Sequence, residues 1–149
     1  MTSKASTTKN LRLQRGDGVS GASASYTTIA ECSNVKGPDE KVSLLDCTNF
    51  DSSAKEYKTG LSDGQPVTFD ANFIGSDTQQ QGLRTDLRAG SIRDFKFIAN
   101  DSVGDPTYVI FSALVIMVPG LSGGVDAILK GAWELKPTGT ITWHYSAGP

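Results

Sequence analysis

The sequence predicts a mainly β fold: two packed antiparallel sheets, in sandwich or barrel form, with one α-helix at about residues 77–89. Three observations carry this expectation. Runs rich in Val, Ile, Thr and Phe recur along the chain and are punctuated by its sixteen glycines and six prolines. Residues 67–73 alternate apolar and polar without a break. A single stretch, 76–90, carries helix-start and helix-stop signals together. With 149 residues, 38% hydrophobic and 20% charged, the chain is long enough to bury one core and reads as one domain.

Residues 1–25 read as a basic N-terminal arm and flexible lead-in, with a Gly/Ser-rich stretch at 18–25. The folded domain is expected over 26–149. Its first strand runs from Tyr26 to Lys36 and is closed by Gly37-Pro38. A second, Lys41 to Phe50, is marked by Val42, Leu44 and Leu45. Residues 51–64 hold few large apolar groups and two glycines, so a long loop or extended hairpin is expected over about 49–65. In Gln65 to Ile74, Val67, Phe69, Ala71 and Phe73 point one way and Thr68, Asp70 and Asn72 the other. Strand side chains have period two, so one face packs on a core and the other meets solvent.

The helix is expected to start at Ser76 as N-cap, with Gln79 at capping-box spacing and Asp77 at the positive end of the dipole. Leu83 and Leu87 make an i,i+4 seam, Arg84 and Arg88 complement the C-terminal end, and Gly90 stops it. Two leucines are enough to pack the helix on a sheet but not to form a core. Further strands are expected at Ile92 to Ala99, Thr107 to Val118, Asp126 to Lys136 and Thr140 to Tyr145. In the third of these, Asp126, Lys130 and Glu134 share one face, against Leu129, Trp133 and Leu135. The run Tyr108 to Val118 is apolar on both faces and needs cover from both sides.

The net charge of −2 hides an asymmetry. Lys4, Lys9, Arg12 and Arg15 give residues 1–15 a charge of +4, leaving ten bases against sixteen acids in the remainder. An acidic body argues against gripping nucleic acid through its phosphates. It is compatible with a surface that lets nucleic acid slide past. The basic arm reads equally as a docking segment for an acidic neighbour or as a solvated tail. The longest apolar run, Tyr108 to Val118, falls short of the roughly 18 residues a membrane helix needs, so no membrane association is expected. The opening MTSKASTTKN has no apolar core, so no signal peptide is expected. Cys32 and Cys47 are too few for a disulfide framework and lack zinc-ligand spacing; reduced strand residues are expected.

Motifs that could carry chemistry are weak. Arg15-Gly16-Asp17 spells an integrin tripeptide, but three-residue matches arise by chance. Gly120-Leu121-Ser122-Gly123-Gly124 fits G-x-S-x-G, with Asp126 and His144 following in hydrolase order. That elbow needs a helix after it, whereas Asp126 onward alternates as a strand, so a turn is expected. His144 is the one histidine, which leaves no multi-histidine metal site. Asn100-Asp101-Ser102 is a formal glycosylation sequon. Asp46, Asp51, Asp63 and Asp70 lack EF-hand spacing. No catalytic residue, cofactor or metal is expected, and the chain is not expected to be an enzyme.

An ordered string of segments resembles the major tail tube proteins of long-tailed, siphovirus-type bacteriophages. These are Tyr-Thr-Thr-Ile-Ala-Glu (26–31), Lys-Gly-Pro (36–38), Asp-Cys-Thr-Asn-Phe-Asp-Ser (46–52), Lys-Glu-Tyr and Gly-Leu-Ser-Asp-Gly (55–64), and Val-Thr-Phe-Asp-Ala-Asn-Phe (67–73). Arg-Asp-Phe-Lys-Phe (93–97) and Trp-Glu-Leu-Lys-Pro-Thr-Gly (133–139) complete it, covering about Tyr26 to Trp143. The resemblance implies a fold shared with contractile tails and the type VI secretion tube, in hexameric rings stacked along a virion tail and assembled in the host cytoplasm. It implies further copies of the chain as partners, together with tape measure, tail terminator and baseplate or tail tip proteins. DNA would pass through the lumen without specific binding.

On that footing the inter-ring interface is expected at Asp51, Lys55, Glu56, Tyr57 and Asp63, with Lys4, Lys9, Arg12 and Arg15 as arm contacts. The lumen lining is expected at Thr68, Asp70, Asn72, Lys130 and Glu134, Lys130 departing from a purely acidic surface. Two other readings stay open. One is a β-sandwich module for carbohydrate or another ligand, for which Trp143 and Tyr145 are the stacking candidates. The other is a different tail ring component, a terminator or baseplate ring.

Overall fold

The structure, a computed structural model, describes residues 9–19, 23, 25–99 and 101–147. Nine strands and one helix follow in order: β1 (Arg12–Val19), β2 (Tyr26–Thr28), β3 (Cys32–Lys36), β4 (Glu40–Asp46), β5 (Tyr57–Gly64), β6 (Val67–Asn72), α1 (Thr78–Ala89), β7 (Ile92–Ile98), β8 (Tyr108–Met117) and β9 (Lys130–His144). Seven strands form one antiparallel sheet in the order β2-β1-β7-β8-β9-β6-β3, and β4 pairs with β5 as a separate two-stranded ribbon.

The large sheet is curled. β1 and β3 stand five strand positions apart, about 24 Å on a flat sheet. They nevertheless approach each other in space, so the two halves of the sheet face one another like the layers of a sandwich. Its edges, β2 and β3, are not hydrogen-bonded to each other, and the sheet stays open. Inside lie Leu13 from β1, Phe95 from β7, Val109, Phe111 and Ala113 from β8, Trp133 and Leu135 from β9, and Val67, Phe69 and Ala71 from β6. Phe69 and Trp133 stack with centroids 5.5 Å apart and planes 3° from parallel.

The alternation at 67–71 is realised: Val67, Phe69 and Ala71 are buried and Thr68 is exposed. Phe73 lies past the strand end and is 38% exposed. Leu83 is wholly buried and Leu87 packs beside it. The helix N-cap is Asp77, not Ser76: its carboxylate accepts from the N–H groups of Gln79 and Gln80. Asp77 wins because its second oxygen also takes the Ala30 N–H at 3.3 Å, which ties the helix start to the β2–β3 turn. Gly90 adopts the left-handed conformation that ends the helix.

Several boundaries differ from expectation. Residues 12–19, read as part of a flexible arm, are β1, paired with both β2 and β7. Leu13 is its buried anchor, and Arg15 turns inward beside it to meet an acid. The strand expected from Tyr26 to Lys36 breaks at Ile29–Glu31, where Glu31 takes φ 52° and the chain crosses from one sheet edge to the other. The strand expected from Asp126 begins only at Lys130, because Asp126 has φ 65°. From Lys130 the strand then runs unbroken to His144, through Pro137. Pro137 is tolerated because β6 reaches only Leu135, so the proline's missing N–H has no β6 partner to lose.

A buried ion cluster clamps the helix to the sheet. Asp86, its side chain 1% exposed, accepts from Arg15 Nε at 2.9 Å, Arg15 Nη2 at 3.1 Å and Arg93 Nη2 at 2.8 Å.

Candidate functional site

The most unusual surface is the β4–β5 ribbon. Its strands pair with each other and not with the large sheet, and every residue of β4 is exposed. Val42, Leu44, Leu45, Tyr57 and Leu61 stand in solvent along it, and Phe50 at the tip is fully exposed. A lone two-stranded hairpin is marginal in water, and contiguous exposed apolar surface marks a docking site.

The ribbon is held in a defined shape at both ends. At the base, Lys136 Nζ donates to Asp63 Oδ1 at 2.9 Å and to the Gly64 carbonyl at 2.7 Å. Gly64 has no room for a side chain there, since a Cβ would sit 2.8 Å from Pro137 Cβ. At the tip, Asp46 accepts from the Thr48 N–H at 2.9 Å, and Lys55 Nζ lies 3.4 Å from its other oxygen. Ser52 Oγ donates to Glu56 Oε2 at 2.8 Å, and Asn49 Oδ1 accepts from the Asp51 N–H at 2.9 Å. Hydrogen bonds from Thr48, side chain first and then backbone, hold the Asp46 carboxyl below its ordinary range.

This is where the structure places the residues expected at an inter-ring contact. Asp51, Lys55 and Glu56 lie in the tip, and Tyr57 and Asp63 on β5. The expected long loop at 49–65 is therefore half strand, the extended-hairpin form of that expectation. Asp63 is already engaged by Lys136 of its own chain. The basic arm is not brought together: Arg15 is consumed by Asp86, Arg12 and Lys9 are exposed, and Lys4 lies outside the described residues.

The five residues expected to line a lumen do share one sheet face. Thr68 stands opposite Glu134, Asn72 opposite Lys130, and Asp70 lies between them on β6. Lys36 of β3 also faces Thr68 and Glu31 reaches Asn72, so three acids meet two lysines on this surface. It is polar and slightly acidic. Asn72 Nδ2 donates to Glu31 Oε2 at 2.6 Å and Asn34 Nδ2 to Asp70 Oδ2 at 3.4 Å.

The sequence reading missed a cavity of about 520 Å³ between the helix and residues 118–121. Phe73, Val118, Pro119, Leu121 and Trp133 make its walls apolar, and Arg84 and Arg88 line it from the helix. Arg84 Nη2 donates to the Pro119 carbonyl at 2.7 Å, fixing the far wall. Trp133 Nε1 is buried with no partner among the described residues. The only signal in the sequence was the pair of arginines, which reads equally well as dipole complementation.

The motif residues do not converge. Ser122 lies in the segment before β9 and His144 at that strand's far end, where its Nε2 sits 2.7 Å from Asp105 Oδ1. That contact holds the Asp105 carboxyl below its ordinary range. Gly16 is buried within β1, so Arg15-Gly16-Asp17 is not a presented loop. Trp143 and Tyr145 stack at 5.9 Å, both partly exposed. Cys32 and Cys47 are free thiols. Among the described residues no group of three or more His, Cys, Asp or Glu could hold a metal ion, and no helix is long and apolar enough to cross a membrane.

No family model and no curated protein matches the chain. Solved structures do. A chain of the anti-feeding prophage (AFP) tube terminating cap superposes with TM-score 0.75 at 10% identity, covering 98% of this chain and 95% of its own. A chain of the PVC extracellular contractile injection system, in its sheath/tube terminator, gives TM-score 0.73 at 12% identity over 97% and 99%. The SPP1 tail tube gives TM-score 0.70 at 10% identity over 95% and 80%. The chain has the fold of phage tail tube proteins.

Proposed function

We propose that this chain is a structural subunit of a virion tail that forms hexameric rings, and that the rings stack into the conduit through which DNA leaves for the host. The observation that carries this reading is the β4–β5 ribbon, a shaped apolar surface outside the core. Its burial needs another molecule, and the fold it stands on is that of tail proteins built from repeated copies. In such a ring the polar, slightly acidic face of Thr68, Asp70, Asn72, Lys130 and Glu134 lines the lumen. A surface without net positive charge gives sliding phosphates nothing to grip. Tape measure, terminator and baseplate or tail tip proteins meet the ends of the stack.

A ring terminator is the second reading, favoured by the good superposition on chains from the AFP tube terminating cap and the PVC sheath/tube terminator structures. Sedimentation and negative-stain electron microscopy of the concentrated protein separate the two. Rods with an axial channel establish the tube, and single closed rings that never stack establish the terminator. A monomer at every concentration overturns both.

A further inference from the structure

The ribbon and the cavity lie at opposite ends of one strand. β5 ends at Gly64 and β6 begins at Val67 with two residues between them, and the cavity opens at Phe73 to Gly75, just after β6 ends at Asn72. Six extended residues separate the two features by about 20 Å. The base of the apolar projection and the apolar recess are thus set apart along β6.

Their chemistry is complementary. At the projection, Phe50 is fully exposed beside Asp51, whose carboxylate takes no ion pair or hydrogen bond within the described chain. At the recess, an apolar cleft is rimmed by the exposed Arg88, and Arg84 also faces it. From this geometry we infer that the Phe50–Asp51 tip of one copy seats in the recess of the next, Phe50 between the helix and Pro119–Leu121 and Asp51 against Arg88. Two different surfaces meet in such a contact, so it is heterologous and propagates along an axis without closing. The inference rests on the stacking subunit proposed above and names the receptor for its ribbon. Gly131 supports the recess: a Cβ there would collide with the Pro119 ring, so the bare backbone is what lets the Pro119 wall fold in.

Cysteine cross-linking of the full chain tests it. In a Cys47→Ser background, Phe50→Cys and Leu121→Cys are introduced together and singly, and oxidised samples are run without reductant beside electron micrographs of the same material. The double variant gives a ladder of covalent multimers, while each single variant stops at dimers. Phe50→Ala keeps the melting temperature of the subunit, since Phe50 touches no core, and raises the concentration needed for assembly roughly tenfold or more. Asp51→Lys blocks assembly and Arg88→Glu in the same chain restores it. Rods that form without a ladder, and unaffected by Phe50→Ala, overturn the docking site and leave the stacking subunit standing. Absence of any self-association overturns both. If deleting residues 2–8 abolishes assembly while Phe50→Ala does not, the arm fills the recess and the inference is wrong.

Discussion

Replacing Asp86 with alanine removes the acid that neutralises two guanidinium groups beneath the helix. Its carboxylate is 1% exposed, and the Arg15 and Arg93 side chains are only 12% and 17% exposed. Breaking a buried pair by deleting one partner costs about 3–5 kcal/mol, mostly from the charge left behind. The slight exposure of both arginines lets water reach them and puts the loss near about 3 kcal/mol, out of a typical total of roughly 5–15 kcal/mol. For a chain of this size each kcal/mol moves the melting temperature by about 2–4 °C, so the drop should be about 6–12 °C. Thermal unfolding followed by circular dichroism, at concentrations below assembly, reads it directly. Arg15→Ala should also destabilise the isolated subunit, whereas Arg12→Ala, an exposed neighbour, should not. A change under about 2 °C for Asp86→Ala would mean that the guanidiniums are solvated and the cluster is not a clamp.

Two further outcomes follow from ionisation. Burial, with a smaller push from Asp77, raises the Cys32 thiol to about 12, so it stays protonated where ordinary thiols ionise. An alkylating reagent at pH 8 should modify Cys47 and spare Cys32 until the chain unfolds, as peptide mass mapping would show. Because the folded value lies above the ordinary 9.0, the thiol's contribution to stability is complete below about pH 9 and lost as pH rises towards 12. Asp46, Asp101 and Asp105 shift the other way, below 3.8, through hydrogen bonds from Thr48, Thr107 and His144 respectively. Their contribution is present above about pH 3.8 and disappears as pH falls through the lowered values. Hydrogen exchange should show the Thr48 and Thr107 amides losing protection there while the β8 amides keep theirs. Simultaneous loss at all sites would refute a local effect.

What the sequence discloses is set by how far apart the deciding residues lie. Val67, Phe69 and Ala71 declare β6 because three successive inward positions are apolar. The helix is nearly as legible, since seam and stop lie close together in sequence, though its cap shifts from Ser76 to Asp77. β1 was not legible: its inward positions include Arg15, whose partner Asp86 is 71 residues away. A charged residue facing the core looks like a solvated one until its counter-ion is located. The Asp126 strand failed for the opposite reason, an alternating pattern extended past a backbone that turns at φ 65°. β5 reads as loop or extended hairpin because its mostly exposed pattern offers no buried face to detect. The recess, assembled from the 73–75 turn, the helix and the 118–121 segment, has no local pattern at all.

The division between core and ribbon also bears on when assembly can occur. No residue of β4 or β5 belongs to the buried cluster, so the subunit's stability does not depend on the ribbon being covered. Nor are the sheet edges inviting, for β2 has three residues and β3 is interrupted by a register shift between Ser33 and Lys36. Short, irregular edges suppress the pairing that would otherwise join unfolded or misassembled chains. Exposed apolar side chains lie instead on the ribbon and on the segment 121–128, while the ribbon's turn is braced by Thr48, Ser52 and Asn49. On the stacking proposal, a subunit built this way would fold before it meets its neighbours, through a preformed element. On that proposal the order would favour docking into a specific recess over aggregation through half-formed sheet, and would locate control of polymerisation in the ribbon rather than in the core.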